Sequence, residues 1–123
     1  MTRFHTVMPA LRVTDLPRSL AWYTGVLGFA ADPPAEQDGG GANAFVRAGG
    51  VELLLSTGAH LGGPPAFTGV IYVRVTGVDE LYARVAGRPE VVWPLERQDY
   101  GTREFGVRDP DGYLLAFAEP DPR

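Results

Sequence analysis

Residues 11–16 read LRVTDL and residues 73–78 read VRVTGV, so a similar segment recurs 62 positions further along the chain. The same shift of 62 places GVELLL (50–55) on GYLLAF (112–117). Unrelated strands can share a pattern by chance, but chance does not fix one offset in two separate places. The two matches therefore indicate two copies of one unit, each about half of the chain.

Each half of the chain predicts the same order of elements: a strand, a helix and three further strands. In the first half, DLPRSLAWYTGVLGF (15–29) has apolar residues at helical spacing, with Asp15 suited to the N-cap and Pro17 to the first turn. In the second half, VDELYARVAG (78–87) shows the same periodicity. We therefore predict an α+β fold made of two tandem βαβββ modules.

The remaining elements are strands joined by connections rich in glycine and proline. DPPAEQDGGGAN (32–43) has the composition of a loop, and GAHLGGPPAFTG (58–69) that of a connector between the modules. We place the modules at about 5–57 and 68–119, within a single domain over 1–123. Strands are predicted over 6–16, over 44–57 as a hairpin about Gly49–Gly50, and over 70–76, 91–96, 103–108 and 113–119.

The composition restricts the classes of function. With 123 residues, 45% of them hydrophobic, the chain is large enough for one domain with its own core. The formal net charge is −4 without a basic block, which argues against a nucleic acid partner. The absence of cysteine excludes disulfides, thiolate metal sites and a cysteine nucleophile. No apolar run reaches the ~18 residues that span a bilayer, and no signal-peptide pattern is seen, so we expect a cytoplasmic protein without a membrane partner.

Paired βαβββ modules with DLPRSLAWYTGVLGF (15–29) and REFGVRDPDGYLLAFAE (103–119) resemble the vicinal oxygen chelate superfamily. That superfamily contains glyoxalase I, extradiol dioxygenases, fosfomycin-resistance enzymes and bleomycin-resistance proteins. The resemblance covers nearly the whole chain. It implies that each module curls its mixed sheet into a cup and that two cups enclose a cleft. Within the second motif, DPDG (109–112) is most simply a turn.

The enzymes of this superfamily hold a divalent metal with four His, Glu or Gln side chains from the first and last strands of the modules. The resemblance places those positions at Met8, Leu54, Val70 and Ala116. None of these side chains suits zinc, nickel, iron or manganese. The two histidines, His5 and His60, do not match the pattern. We therefore expect no metal, no other cofactor and no catalytic residue of the metal-dependent kind.

Strand alternation predicts which side chains line the cleft. Tyr72 and Arg74 share a face with the metal position on their strand, and Glu52 and Ser56 do so on theirs. Single aromatic residues are as often core or interface residues as ligand contacts, whereas an inward arginine needs a carboxylate or a polar ligand. Glu52 is a candidate partner for Arg74. The candidate ligand-binding residues, with the facing of hairpin 91–108 left open, are Tyr72, Arg74, Tyr100, Trp93, Ser56, Glu52 and Phe105.

Within the superfamily the chain is most similar to the bleomycin-resistance proteins, which have a metal-free cleft. GVDELYARV (77–85) and YGTREFGVRDPDG (100–112) carry this resemblance, together with the position of Pro9. It implies a small-molecule ligand, including aromatic antibiotics, and a homodimer whose N-terminal strands are exchanged about Pro9. The chain departs from that family in two places: Arg74 replaces an aromatic residue, and Thr102 is an additional residue in the hairpin. The net charge of only −4 argues against bleomycin itself.

These observations favour a metal-free protein that sequesters an antibiotic or related natural product and so confers resistance. Three alternatives stay open at the level of the sequence. One is a metal-dependent lyase, isomerase or dioxygenase of the same superfamily. Another is a metal-free enzyme in which Glu52 acts as a general base near Arg74. The third is a ligand-responsive accessory subunit, which the sequence does not separate from a sequestering protein.

Overall fold

Residues 1–36 and 41–121 are described in the computed structural model. The first helix, α1 (Leu16–Gly25), begins where Asp15 accepts a hydrogen bond from the backbone N–H of Arg18 at 3.0 Å. Pro17 occupies its first turn, where a missing N–H costs nothing. The second helix, α2 (Val78–Val85), follows Gly77 as its N-cap residue. Both predicted helices are confirmed, and neither is long and apolar enough to cross a membrane.

The strands form two separate sheets, one from each half of the chain. In the first sheet the order is β1-β5-β4-β2, with β3 also paired to β4, and in the second it is β6-β9-β8-β7. The pairs β1–β5 and β6–β9 are parallel, and the others are antiparallel. The bounds are β1 (Ala10–Arg12), β2 (Ala30–Ala31), β3 (Ala35–Glu36), β4 (Ala42–Ala48), β5 (Val51–Ser56), β6 (Ile71–Arg74), β7 (Val91–Arg97), β8 (Thr102–Arg108) and β9 (Leu114–Pro120).

The pairing registers repeat with the offset seen in the sequence. Ala10 lies opposite Leu54 in the first sheet, and Tyr72 lies opposite Ala116 in the second, so both partners are shifted by 62. The hairpin strands β4 and β8 correspond with a shift of 61, because the turn before β9 is one residue longer than the turn before β5. The two halves therefore share their hydrogen-bonding geometry as well as their sequence pattern.

Three segments differ from the sequence-based expectation. The strand predicted over 6–16 is formed only over Ala10–Arg12. Pro9 has no N–H to donate, although its carbonyl still accepts from the Leu54 N–H at 3.0 Å, and residues 1–8 lie outside the sheet. The loop predicted over 32–43 contains the short strand β3 and the start of β4, while residues 37–40 lie outside the described part. The connector 58–69 contains a short 3-10 helix, Ala59–Leu61.

A single apolar core lies between the helices and one face of each sheet. Leu53 and Leu55 supply it from β5, and Leu115 and Phe117 from β9, all with at most 1% of their surface exposed. Phe105, a predicted ligand contact, is also in this core, with 0% exposure and its ring between those of Tyr82 and Phe117. Alternation along β8 points Phe105 toward α2, away from the face that carries the other candidates.

The DPDG segment is a turn, as predicted, and it also joins the two halves. The Asp109 carboxyl accepts hydrogen bonds from the Tyr23 hydroxyl at 2.7 Å and from the backbone N–H of Tyr113 at 3.0 Å. Asp111 accepts a bond from the Thr14 hydroxyl at 2.7 Å. Burial raises the pKa of Asp109, and the hydrogen bonds oppose this shift.

Candidate functional site

The second sheet has one face in the core and one face turned away from α2, which we term the open face. Two rows of side chains cross it from strand to strand. The first row joins Tyr72, Ala116, Gly106 and Trp93, and the second joins Arg74, Ala118, Glu104 and Glu96. Ala116 and Gly106 occupy the middle of the first row, Ala118 and Glu104 occupy the middle of the second, and aromatic or charged residues stand at the ends of both. The open face is therefore a trough with a floor of glycine and alanine.

Trp93 lies flat on this floor. A Cβ atom added at Gly106 would approach the indole ring to 2.7 Å, closer than packed carbon atoms allow, so the ring rests on the glycine backbone. Register shifts in β7 on both sides of Trp93 turn this side chain to the open face. Its indole Nε1 is buried and has no hydrogen-bond partner in the described part of the chain. The half-buried indole forms one end of the trough.

Glu104 is a buried carboxyl group on the open face, with 1% of its surface exposed. The Tyr100 hydroxyl donates to Glu104 Oε1 at 2.6 Å, and the Thr102 hydroxyl donates to the same oxygen at 3.1 Å. Such donors offset the cost of burying a carboxyl group. The bond to Glu104, followed by one to Tyr72, raises the pKa of Tyr100 well above that of an ordinary phenol. Tyr100 therefore remains a hydrogen-bond donor throughout the physiological pH range.

Arg74 stands on the other side of the trough from Glu104, with Ala118 between them. Within the described residues, no ion pair or hydrogen bond reaches its guanidinium group. Arg74 and Glu104 line the same cavity, which has a volume of about 300 Å³ and also includes Tyr72, Tyr100 and Thr102. An adjoining cavity of about 220 Å³ is lined by Tyr72, Trp93, Glu96, Gln98, Tyr100 and Glu104.

Glu52 does not serve as the partner of Arg74, so that expectation is wrong. Its carboxylate is bound to the Arg47 guanidinium, which also binds Asp32. Glu52 nevertheless lines a third cavity, of about 410 Å³, together with Tyr72 and Arg74. A carboxylate held in a half-exposed ion pair is a poor general base, so the geometry gives no support to the catalytic role considered for Glu52.

The structure brings four of the seven candidate residues to one place. Tyr72, Arg74, Trp93 and Tyr100 surround the trough, and Glu52 lies on an adjoining wall. Two candidates lie elsewhere. Ser56 is fully buried in the first sheet, where its hydroxyl accepts a bond from the Gly58 N–H at 3.0 Å, and Phe105 is in the core.

Sequence reasoning missed three residues of the trough, namely Glu96, Glu104 and Gly106. The signal for two of them was present in REFGV (103–107), where Phe105 and Val107 alternate with Glu104 and Gly106. A period of two assigns the apolar pair to the core and the other pair to the open face. Because the facing of hairpin 91–108 was left open, Phe105 remained a candidate on account of its aromatic ring.

The chain belongs to the Glyoxalase/Bleomycin resistance protein/Dioxygenase superfamily, whose family model matches residues 3–117. The resemblance stated from the sequence is thereby confirmed, and so is the α+β fold class. No curated protein matches the chain in sequence.

Solved structures of the same fold include three from Micromonospora and Streptomyces. TioX from Micromonospora sp. ML1 is 26% identical, with a TM-score of 0.73, over 95% of this chain and 99% of that one. The bleomycin-binding protein of the bleomycin producer Streptomyces verticillus, solved with copper(II)-bleomycin, is 26% identical, with a TM-score of 0.67, over 95% and 97% of the two chains. TnmS3, an antibiotic-binding protein from Streptomyces sp. CB03234, shares the fold at 22% identity and a TM-score of 0.79, over 98% and 99%.

The residues present do not fit the metal of the superfamily's enzymes. The positions that the sequence resemblance assigns to the metal ligands carry Met8, Leu54, Val70 and Ala116. The residues paired across the parallel strands are Ala10 with Leu54 and Tyr72 with Ala116. None of these is an imidazole or carboxylate ligand. Over residues 1–36 and 41–121, no group of three or more His, Cys, Asp or Glu side chains is placed to hold a metal ion.

Proposed function

We propose that this protein binds an antibiotic or a related natural product at the open face without a metal, and confers resistance by sequestering it. One observation carries the proposal: Tyr72 and Tyr100 are 56% and 63% exposed beside Trp93, around a floor of small residues. Exposed aromatic rings that line a concave surface are typical of small-molecule binding sites. Stacking on such rings contributes ~0.5–1.5 kcal/mol each beyond simple burial.

Two relatives in fold support this choice within the superfamily. One is described as a bleomycin-binding protein and another as an antibiotic-binding protein. The unsuitable side chains at the four metal positions support a metal-free site, and with it a protein that holds its ligand unchanged. The net charge of −4 still argues against bleomycin as the ligand.

The proposal includes a cytoplasmic homodimer in which the N-terminal segments are exchanged. Residues 1–9 form no regular structure, and Phe4 and Val7 are 97% and 85% exposed. Exposed apolar side chains on an extended arm gain free energy when a second subunit covers them. The expected result is a dimer by light scattering that becomes monomeric when residues 1–7 are deleted. A monomeric full-length chain at micromolar concentration would contradict this part of the proposal.

The test of the binding role is a tryptophan-fluorescence titration with planar aromatic antibiotics, with and without EDTA. Trp22 is the other tryptophan, and it donates to Glu90 at 3.0 Å, away from the open face. The Trp22→Phe variant therefore reports from Trp93 alone, and Trp93→Phe is its matched control. We expect saturable quenching, unaffected by EDTA, with a dissociation constant near or below micromolar, or ~−8 kcal/mol.

The same samples separate binding from catalysis. After prolonged incubation, mass spectrometry should recover the antibiotic unchanged. Formation of a product would exclude simple sequestration and favour an enzyme of the same superfamily. Metal that remains bound in stoichiometric amount after gel filtration, together with EDTA-sensitive binding, would exclude the metal-free site.

A further inference from the structure

The open face has a fixed electrical polarity. Glu104 and Glu96 lie opposite one another on β8 and β7, and Arg74 lies on β6 at the other side. Ala118 occupies the single intervening position between Glu104 and Arg74. Because neighbouring strands are ~4.8 Å apart, the backbones of Glu104 and Arg74 are about 10 Å apart across the sheet. The trough is therefore negative along one wall and positive along the other.

The opposite charges do not neutralise one another within the chain. The guanidinium of Arg74 has no ion pair in the described residues, and Glu104 is held by the Tyr100 and Thr102 hydroxyls. Both hydroxyls bind Oε1, so neither occupies Oε2. The alanine between the two walls is too small to fill the gap, which opens as the cavity of about 300 Å³.

We propose that this cavity takes a planar aromatic ligand with a cationic group at one end and an anionic group at the other. The cationic end faces Glu104 and Glu96, and the anionic end faces Arg74. The flat ring system lies on Ala118 and contacts Tyr72. This inference rests on the proposed binding function and specifies the chemical class and the orientation of the ligand.

Tyr100 controls access to the negative wall. Its hydroxyl is bound to the buried Glu104, whereas the Tyr100 side chain itself is 63% exposed and has room to rotate toward solvent. When the phenol rotates outward, a ligand ammonium group can reach Oε2 of Glu104, which neither hydroxyl occupies, and adds a charged donor there. Hydrogen bonds to charged groups are the stronger kind.

The experiment is calorimetric titration of the full chain with four matched probes. These are 6-(aminomethyl)-2-naphthoic acid, 2-(aminomethyl)naphthalene, 2-naphthoate and 2-methylnaphthalene, which carry both charges, the positive one, the negative one and neither. We expect the doubly charged probe to bind most tightly, and removal of either charge to weaken binding by about tenfold.

Charge-neutral variants assign each end of the ligand to its wall. Arg74→Gln should weaken the two carboxylate probes by about tenfold and leave 2-(aminomethyl)naphthalene unchanged. Glu104→Gln should weaken the two amine probes by about tenfold and leave 2-naphthoate unchanged. Because Glu104 is buried, the exposed Glu96→Gln variant provides a second test of the negative wall that does not disturb the core. Glu80→Gln, on the exposed side of α2, is the matched control and should change nothing.

Two results would overturn the proposed polarity. The first is a doubly charged probe that binds no more tightly than 2-methylnaphthalene, or four probes that all fail to bind. The second is equal weakening of amine and carboxylate probes by the same substitution. If antibiotics still quench Trp93 in either case, the binding function stands and only the polarity fails. If neither probes nor antibiotics bind, both proposals fail.

Discussion

The two sheets share one register and differ in what covers their outer faces. Shifted by the offset that relates the strands, Gly106 and Ala116 of the second sheet correspond to Phe45 and Leu54 of the first. In the first sheet these large side chains fill the floor, and the Arg47 guanidinium lies 5.3 Å from the centre of the Phe45 ring. The same strand arrangement therefore carries large side chains on the outer face of one sheet and only small ones at the corresponding positions of the other.

The paired arginines show the same contrast. Arg12 in the first sheet donates to the carbonyl groups of Gly62 and Gly63 at 3.0 and 3.2 Å, which fixes the connector between the halves. Arg74, its counterpart, has no such partner in the part of the chain that the structure describes. An arginine therefore stands at the same register position in both sheets, and only the one in the first sheet is bound to the connector.

The strongest test of this difference is to place a large side chain of the first sheet at the corresponding position of the second sheet. In Gly106→Phe, the new ring occupies the position of the Trp93 indole and displaces it from the trough. We expect antibiotic affinity to fall by more than about 100-fold, or ~2.7 kcal/mol. Fluorescence and calorimetric titration measure this loss.

The matched control for that variant is Phe45→Ala in the first sheet. It should lower the free energy of unfolding through lost packing and leave the affinity within about twofold of the wild type. If Gly106→Phe binds normally, or if Phe45→Ala abolishes binding as well, the functional difference between the two sheets is refuted.

A second prediction concerns the joint between the halves. Tyr23→Phe removes the hydroxyl that binds the buried Asp109 carboxyl, and we expect a loss of ~1–3 kcal/mol in the free energy of unfolding at neutral pH. The ligand affinity should not change, because Tyr23 lies in the core. Urea unfolding monitored by circular dichroism measures the first quantity.

The pH dependence of this loss follows from the direction of the Asp109 shift. Burial raises the pKa of Asp109 in the folded state, so its charged form opposes folding, and stability falls as pH rises from the unfolded value toward the raised one. The Tyr23 bond lowers that pKa, so its removal raises the pKa further. The destabilisation by Tyr23→Phe should therefore be smaller near pH 4 than at pH 7. An equal loss at both values would show that the bond does not favour the ionised carboxyl.

The paired arginines give a third prediction of smaller size. Arg12→Ala should lower the free energy of unfolding by ~1 kcal/mol, because two hydrogen bonds to the connector are lost, and should leave affinity unchanged. Arg74→Ala should leave stability unchanged and weaken an anionic aromatic ligand. Urea unfolding and calorimetric titration of both variants measure the two free energies. Equal effects of Arg12→Ala and Arg74→Ala on both stability and affinity would contradict the prediction.

Much of the fold could be predicted because the signals that set it are local. Helical spacing placed both helices, and the repeat placed the paired strands within a few residues. The start of β1 at Ala10 could not be located from alternation alone, since the apolar pattern of the sequence continues on both sides of Pro9. The facing of Trp93 also could not be read from the sequence, because two register shifts in β7 interrupt the period of two.

The candidate site was only partly predictable for a related reason. Tyr72 and Arg74 follow a regular strand, so their common face was evident from the period of two. The packing of Trp93 on Gly106 joins β7 to β8, and such a contact depends on the register between strands. Glu52 was a candidate partner of Arg74 because both were predicted to face inward, whereas the structure pairs it with Arg47, its cross-strand neighbour in the hairpin.

The smallest prediction compares the starts of the two helices. Asp15 caps α1 with its own side chain, whereas the position 62 residues later is Gly77, whose φ is +85°. There the Glu119 carboxylate on β9 accepts the N–H groups of Gly77 and Val78, each at 2.9 Å. Asp15→Ala should therefore cost ~1 kcal/mol of unfolding free energy, a typical loss for a side-chain cap. Gly77→Asp should not stabilise α2, since the left-handed backbone disfavours a side chain and Glu119 already caps the helix. Thermal unfolding of both variants measures this difference, and a stabilised Gly77→Asp variant would contradict it.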